Sequence, residues 1–239
     1  MKVAYKSDVG KKRKNNEDAM HVSEREGIFL LADGMGGHQA GEVASDLAVR
    51  EAYTYLKDRL NQAGSEKDIS KLLAESLLNA HDVIKKKGGV DLNLRGMGTT
   101  LIQVIIRNDM AHICHVGDSR TYLLREEIKQ ITRDQTVGDY LLEHNIMSRE
   151  DIPLQKWHTL TQAVGVSENP VPELHKIELC QGDYLLLCTD GLTDMLSDKE
   201  IEEVIQKNGD NIDKAVNRLI EEANRKGGRD NISVVLIGV

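Results

Sequence analysis

Apolar residues recur along this chain with two periods, one typical of strands and one typical of helices. The segment GIFLLADGMGG, residues 27–37, predicts a short buried strand that runs into a glycine-rich turn. Over residues 40–60 the apolar side chains return at helical spacing. A second helical pattern, over residues 69–84, precedes Gly88-Gly89, which we expect to end that helix. Two such helices in succession predict a helical layer that packs side by side over a sheet.

The middle of the chain, from Thr99 to Thr132, alternates short β-like runs with turn signals. The runs TTLIQVII, AHICHV, RTYLL and IKQIT are separated by RNDM, GDS and REE. Such short connections join antiparallel neighbours, whereas a parallel βαβ unit needs a much longer crossover. The pattern therefore predicts an antiparallel meander.

The last third of the chain predicts a strand, two helices and a closing strand. DYLLLC is an apolar strand before the turn TDGLTD, and Ser197 to Glu200 fits a capping box that starts a helix. A further helical pattern over residues 212–223 ends at Gly227-Gly228, before the apolar strand ISVVLIGV.

Residues 134–170 follow neither period. Scattered apolar residues, two prolines and the lone tryptophan predict a short helix near 136–144 within a loop-rich flap, at about residues 134–165. We expect this flap to influence the choice of substrate.

Length and composition restrict the class of protein. The 239 residues are compatible with a single domain, which we place at 1–239, and 40% hydrophobic with 29% charged residues is typical of a globular chain. The 39 acidic against 31 basic residues argue against a nucleic-acid partner, because phosphate neutralisation needs a basic surface.

No apolar run approaches the roughly 18 residues that cross a bilayer, and no signal-peptide core follows Met1, so we expect a cytoplasmic protein with no membrane partner. Since no coiled-coil pattern is present, we expect a monomer.

The three cysteines, Cys114, Cys180 and Cys188, each lie in a β-like apolar stretch. This placement and their odd number favour buried free thiols over a disulfide or a nucleophile.

The segment HICH raises a zinc site as an alternative role for part of this region. His112 and Cys114 would lie on one face of a strand and His115 on the other, so we favour a structural role for all three. Neither His144 nor His158 shows a partner pattern, and we expect both to be structural or surface residues.

Five aspartates stand at predicted strand ends or turns, and two of them follow an apolar strand as Asp-Gly. The five are Asp18, Asp33, Asp118, Asp190 and Asp230. Taken singly, an aspartate beside glycine or asparagine is most often a turn former, because its side chain bonds its own backbone. If the five meet at one end of a sheet, their mutual repulsion requires positive charge between them. All-oxygen ligands without a matching His/Cys set favour Mg²⁺ or Mn²⁺ over zinc for that charge.

Eight segments, in order, resemble the metal-dependent protein phosphatase 2C family in its compact bacterial form. They are SDVGKKRKNNEDA, LADGMGGHQAGEVAS, GMGTTL, HVGDSRTYLL, ITRDQT, LTQAVG, LLLCTDGLTD and GGRDNISVVL, and they span nearly the whole chain. The resemblance implies an α+β fold, a four-layer α/β/β/α sandwich of two antiparallel sheets flanked by helices, with a binuclear metal centre at one end. By itself, GMGTT resembles a phosphate loop, but it lacks the lysine and the full spacing, so we favour a glycine-led entry into a core strand.

The resemblance also implies the metal ligands. Two Mn²⁺ or Mg²⁺ ions would be held by Asp18, Asp33, Asp190, Asp230 and the Gly34 carbonyl. Asp118 matches the residue that, in bacterial members, helps Asp190 to hold a third, weaker ion.

The basic run KKRK contains the implied phosphate-binding residue. Arg13 stands five positions before Asp18, where the family places its arginine, and the planar guanidinium suits a phosphate. Lys11, Lys12 and Lys14 would form a solvated rim that attracts phosphorylated segments, in preference to a nuclear-import tag.

The implied activity is hydrolysis of phosphoserine and phosphothreonine in proteins by a water that the metal pair activates, without a phosphoenzyme. Eukaryotic members have a histidine directly after Asp-Gly, whereas here that position is Met35 and the nearest histidine is His38. His38 is our candidate general acid, with a metal-bound water as the alternative.

Two other classes of protein remain as alternatives. A phosphoprotein-binding pseudophosphatase usually lacks a metal carboxylate, and every matched position here keeps its aspartate. A small-molecule phosphatase or nucleotide hydrolase would use the same metal chemistry. Compact family members generally oppose membrane-anchored bacterial serine/threonine kinases, so the implied partners are phosphorylated proteins and a cognate kinase.

Overall fold

The computed structural model describes residues 1–36, 40–209 and 211–239. Its strands are β1 (Lys2–Asp8), β2 (Asp18–Ser23), β3 (Ile28–Met35), β4 (Gly98–Thr99), β5 (Leu101–Arg107), β6 (Met110–Val116), β7 (Arg120–Leu124), β8 (Ile128–Gln130), β9 (Glu173–Glu178), β10 (Tyr184–Cys188) and β11 (Ile232–Gly238). Its helices are α1 (Ala40–Arg59), α2 (Glu66–Val90), α3 (Val137–Glu143), α4 (Leu154–Trp157), α5 (Asp190–Thr193), α6 (Asp198–Asn208) and α7 (Ile212–Arg225).

The strands form two sheets whose pairings are all antiparallel. The first sheet has the order β1-β11-β10-β7-β8. The second has the order β2-β3-β5-β6-β9, with β4 also paired to β3. The predicted class of two antiparallel sheets is therefore confirmed.

Alternation along the strands explains why the sheets stack in a sandwich. In β11, Val234 and Leu236 belong to an apolar core shared with α6 and α7, while Val235 and Ile237 belong to the core between the two sheets. A third core joins α1 and α2 to the second sheet. Three apolar cores between four layers confirm the predicted α/β/β/α arrangement.

Several predicted helix boundaries are confirmed. The capping box of Ser197 and Glu200 starts α6, and the short helix expected near 136–144 is α3. The last helix, α7, ends just before Gly227, whose φ of +143° suits glycine. Among the residues that the structure describes, no helix combines the length and the hydropathy that a bilayer span requires.

The predicted end of α2 at Gly88-Gly89 is wrong, because the helix continues through both glycines to Val90. A glycine inside a helix costs about 1 kcal/mol relative to alanine. Here it has a packing reason, since a Cβ at Gly88 would lie 3.0 Å from the carbonyl oxygen of Leu94. The glycine lets the chain after the helix fold back against the last turn.

The predicted meander is correct in its antiparallel pairing but wrong in its continuity. β5 and β6 form a hairpin in the second sheet, whereas β7 and β8 form a hairpin in the first. The chain crosses between the sheets at residues 117–119. Gly117 has a φ of +112° there, and a Cβ at this position would collide with Thr100. The crossing places Asp118 between the two sheets' strand ends.

All three cysteines are free, as predicted, and Cys114 and Cys188 are buried. The expectation of burial is wrong for Cys180, which is exposed because it follows the end of β9 and lies in the turn before β10.

Candidate metal centre

Strands of both sheets end on one side of the sandwich, and the five predicted aspartates lie there. Asp18 is the first residue of β2 and is paired directly with Asp33 of β3. Asp190 begins α5 two residues after β10, Asp230 lies two residues before β11, and Asp118 lies on the crossing between the sheets. The negative charges of the other four aspartates all act on Asp33. The structure therefore brings together every carboxylate that the sequence singled out.

Two buried hydroxyl groups fix the orientation of Asp18. Thr189 Oγ1 and Ser233 Oγ donate hydrogen bonds to Asp18 Oδ2 over 3.0 and 2.6 Å. Both residues are fully buried and belong to the first sheet or its end, whereas Asp18 belongs to the second sheet. These bonds thus tie the two sheets together beneath the cluster. Neither residue was predicted from the sequence to be functional, although Thr189 directly precedes the predicted ligand Asp190.

The backbone of Asp33 is held by the segment GMGTT. Thr100 donates its amide to the Asp33 carbonyl and accepts the Asp33 amide on Oγ1, each over 2.9 Å. Thr99 Oγ1 donates to the same carbonyl over 2.8 Å. The segment is a glycine-led strand entry, as predicted, and it also positions one of the clustered carboxylates.

Burial and mutual repulsion raise the pKa of these carboxyl groups. Burial raises the pKa of Asp18 to about 7, although the hydrogen bonds from its two hydroxyl partners act to lower it. Burial also raises the pKa of Asp190 to about 6, and the charge of nearby Asp194 adds to the effect. For Asp33 and Asp118, burial and then the neighbouring aspartates raise the pKa well above the ordinary range. The protein's own side chains therefore do not offset the cost of ionising these carboxyl groups.

Unpartnered oxygens in the cluster fit a divalent cation. Asp18 Oδ1 and Asp190 Oδ1 are buried and make no hydrogen bond in the structure. A buried carboxylate oxygen without a partner is costly, and a cation offsets that cost. The surrounding donors are carboxylate oxygens, which suit the hard ions Mg²⁺ and Mn²⁺. The residues present thus fit the metal type that the sequence predicted.

Gly34 lies where no other residue fits. A Cβ at this position would collide with the backbone carbonyl oxygens of Gly41 and Glu17. The Gly34 amide donates to the Glu17 carbonyl over 3.0 Å, which holds the strand end against the segment that precedes β2. The predicted ligand position is therefore in a tightly packed backbone region beside Asp33.

Arg13 lies at the rim of the cluster. Its Nη2 atom is 2.6 Å from Asp230 Oδ2, and about half of its side chain, 51%, is exposed. Lys11, Lys12 and Lys14 are exposed on the same segment, as expected for a solvated rim. The guanidinium is therefore accessible to a ligand from solvent while it contacts one of the clustered aspartates.

The candidate general acid His38 lies outside the described residues. A different histidine comes close to the cluster: His158 Nδ1 is 3.6 Å from Asp194 Oδ2, and one ligand atom each of His158, Asp190 and Asp194 lie within 4.8 Å of one another. No pattern in the sequence marks His158, because its partner Asp194 is 36 residues away in the chain.

The start of the predicted flap is anchored beside Asp118. Arg120 binds Asp134 through Nε and Nη2, with distances of 2.9 and 2.7 Å. Gln135 accepts the Gly117 amide on its side chain and donates its own amide to the Gly117 carbonyl. The segments GDSR and RDQT therefore contact each other, and they fix the crossing loop to the first residues of the flap.

Comparisons with known proteins agree with this geometry. The family model described as protein phosphatase 2C matches residues 10–233. Protein phosphatase PhpP of Streptococcus pneumoniae serotype 2 is 36% identical over 244 residues, which cover 100% of this chain and 98% of that protein. The crystal structure of the Mycobacterium tuberculosis serine/threonine phosphatase PstP/Ppp superposes with a TM-score of 0.87 at 37% identity, covering 98% of this chain and 97% of that one. The catalytic domain of PstP in complex with two manganese ions gives a TM-score of 0.84 at 37% identity, covering 98% and 96% of the two chains.

Proposed function

This chain belongs to the protein phosphatase 2C family and is a metal-dependent serine/threonine protein phosphatase, and we propose that its aspartate cluster is the metal centre of that activity. The observation that carries this assignment is the pair of buried, unpartnered oxygens, Asp18 Oδ1 and Asp190 Oδ1, within a group of five carboxylates. The proposed ligands of two Mn²⁺ or Mg²⁺ ions are Asp18, Asp33, Asp190, Asp230 and the Gly34 carbonyl.

When bound, two such ions would supply Lewis-acid chemistry, namely a water made more acidic and neutralisation of charge on the phosphoryl oxygens. The protein's contribution is to hold the ligands in a fixed arrangement. Thr189 and Ser233 occupy one oxygen of Asp18 and leave the other free. Thr99 and Thr100 fix the backbone of Asp33. These buried bonds keep the ligands in place before the substrate arrives.

Arg13 binds the substrate phosphate in this proposal. A guanidinium has five N–H donors in a planar fork, and the single bond to Asp230 leaves donors for phosphate oxygens. Its half-exposed position is compatible with capture of a phosphorylated side chain from solvent.

Hydrolysis without a phosphoenzyme agrees with the state of the buried cysteines. Burial raises the pKa of Cys188 to about 12 and also raises the pKa of Cys114, so neither thiol forms a nucleophilic thiolate near neutral pH. The leaving serine or threonine oxygen needs a proton, and we keep His38 as the proposed donor.

Asp118 and Asp190 form the proposed third, weaker metal site. Support comes from their proximity, since the charge of Asp190 is the largest electrostatic cause, after burial, of the raised pKa of Asp118. Asp118 lies on the loop that connects β6 in one sheet to β7 in the other, and this position allows it to approach the cluster.

Phosphorylated proteins are the proposed substrates, and a cognate bacterial serine/threonine kinase is the proposed antagonist. The kinase partner, the cytoplasmic location, the monomeric state and the single domain over 1–239 stay predictions from the sequence.

The test replaces Asp18 or Asp190 by alanine and measures hydrolysis of para-nitrophenyl phosphate at saturating Mn²⁺. Each variant should lose turnover, whereas Asp58→Ala, an exposed carboxylate at the end of α1, should keep it. Near-wild-type rates in either cluster variant would overturn the ligand assignment. Comparing a phosphothreonine peptide with phosphorylated metabolites separates a protein phosphatase from a small-molecule phosphatase.

A further inference from the structure

A second group of metal-binding side chains lies on the edge strand of the second sheet. His115 of β6 is paired directly with Glu173 of β9, and His175 follows two residues later. Directly paired residues share a face of the sheet, and alternate residues along a strand return to it, so the three side chains lie on one face. Ile113, the partner of His175, belongs to the core between the sheets. This face is therefore turned inward, toward the first sheet.

The distances within this group are compatible with one bound ion. His175 Nε2 is 2.8 Å from Glu173 Oε1, and His115 Nε2 is 3.8 Å from Glu173 Oε2. One ligand atom from each residue lies within 4.8 Å of the other two. The carbonyl oxygen of Arg133 is a further oxygen, 2.9 Å from His115 Nε2. Tetrahedral zinc with bonds of about 2.0–2.2 Å places its ligands about 3.4 Å apart, so small side-chain shifts suffice.

Burial leaves nitrogens of this group without hydrogen-bond partners. The His115 side chain is 1% exposed, and its Nδ1 atom has no partner. His175 Nε2 is close to Glu173 but makes no hydrogen bond of acceptable geometry. An ion bound at His115 Nε2 places the ring proton on Nδ1, which has no hydrogen-bond partner with or without the ion. Binding there therefore costs one hydrogen bond, the one between His115 Nε2 and the Arg133 carbonyl. A buried polar atom without a partner is costly, and a bound cation offsets this cost at His175 Nε2, although not at His115 Nδ1.

We propose that His115, Glu173 and His175 bind one divalent transition-metal ion, preferentially Zn²⁺, in a site separate from the aspartate centre. Two imidazole nitrogens and one carboxylate are ligands that suit zinc, whereas the all-oxygen aspartate centre suits Mn²⁺ and Mg²⁺. The fourth position is taken by the Arg133 carbonyl or a water. Such an ion joins the edge strand β9, its neighbour β6 and the residue directly before the flap, and it stabilises that junction.

The test counts zinc on the full chain after removal of metals with EDTA. Wild type, His175→Ala and Glu173→Gln are dialysed against micromolar Zn²⁺ with saturating Mn²⁺, and bound zinc is measured by atomic emission. His144→Ala is the matched control, because His144 is exposed directly after α3, outside the group. Zinc that enters the aspartate centre contributes equally to all four proteins. We expect wild type and His144→Ala to hold one more zinc per chain than the two site variants.

Cobalt gives a second readout. Co²⁺ in place of zinc should give the intense visible absorption of a four-coordinate site in wild type, and this absorption should be absent from His175→Ala. Equal zinc counts in the four proteins, or an extra zinc that survives both site variants, would overturn the proposal. Circular dichroism of the variants should show that they are folded, because Glu173 and His175 are partly exposed on an edge strand. The count does not depend on phosphatase turnover, so this proposal and the assignment of the aspartate centre fail independently.

Discussion

Replacing Asp18 by asparagine should stabilise the metal-free protein at alkaline pH. Burial raises the pKa of Asp18 from 3.8 to about 7, so the folded state binds this proton more tightly than the unfolded state does. The contribution of such a group to stability is complete below the unfolded pKa and is lost as the pH rises through the folded pKa. Asparagine keeps an oxygen that can accept from Thr189 and Ser233 but carries no charge. The variant therefore avoids the loss.

The magnitude follows from the two pKa values. Over the whole pH range, a pKa that rises from 3.8 to about 7 costs about 4 kcal/mol, at about 1.4 kcal/mol for each pH unit. Integrated between about pH 5 and about pH 8, the loss is about 3 kcal/mol, because part of it already occurs below pH 5. The free energy of unfolding of Asp18→Asn, relative to wild type, should therefore increase by about 3 kcal/mol across this interval.

Urea unfolding in EDTA at several pH values measures this difference. Subtracting wild type from the variant removes the contribution of the histidines, which titrate in the same interval in both proteins. Saturating Mn²⁺ should reverse the order of stability, because the ion binds the folded wild type and the variant lacks one ligand. Asp58→Asn serves as the control for loss of an exposed carboxylate. A difference between Asp18→Asn and wild type that stays constant from pH 5 to pH 8 would refute the claim that folding raises the pKa of Asp18.

Three further predictions concern the residues around the centre. Arg13→Ala should raise KM about tenfold with little change in kcat, because it removes a charge-assisted phosphate contact. The neighbouring Lys12→Ala should change KM much less. An unchanged KM in Arg13→Ala would place phosphate binding elsewhere. Ser233→Ala should weaken Mn²⁺ binding by about tenfold in calorimetry, because it removes the 2.6 Å bond that orients Asp18, and wild-type affinity would show that this bond has no orienting role. Arg120→Ala should lower the free energy of unfolding by about 1–3 kcal/mol, because it leaves the largely buried Asp134 without its paired contact, and an unchanged urea midpoint contradicts that role.

The sequence was sufficient for the architecture because the apolar periods are regular. The apolar run ISVVLIGV predicted the strand β11, which the structure shows to be buried on both faces, and the helical patterns predicted α1, α2 and α7. It was insufficient where tertiary packing overrides local preference. Gly88 is helical because a neighbouring turn packs against it, and the predicted meander is split because the strand pairs belong to different sheets. Neither fact follows from the apolar periods alone.

The site residues that stand beside local sequence signals could be predicted, whereas those whose role depends on distant residues could not. The aspartates could be found because each stands beside a turn signal, and the family resemblance supplied their convergence. The hydroxyls of Thr189 and Ser233 could not be found in this way, since a buried serine or threonine in an apolar strand is common. Their role depends on which oxygen of Asp18 they contact, and that depends on how two sheets stack. The groups that His158 and His115 form with acidic residues could not be predicted either, because those acidic partners are distant in sequence.

The position of the aspartate centre between the sheets links metal binding to the integrity of the sandwich. Asp18 and Asp33 belong to the second sheet, whereas Asp190 and Asp230 adjoin strands of the first. When ionised, these carboxylates repel one another, while the bonds from Thr189 and Ser233 to Asp18 hold the two sheets together. A cation held by these carboxylates would offset that repulsion at the same place. The charges that make the metal-free protein less stable at alkaline pH are therefore the charges that give the folded protein its affinity for divalent ions.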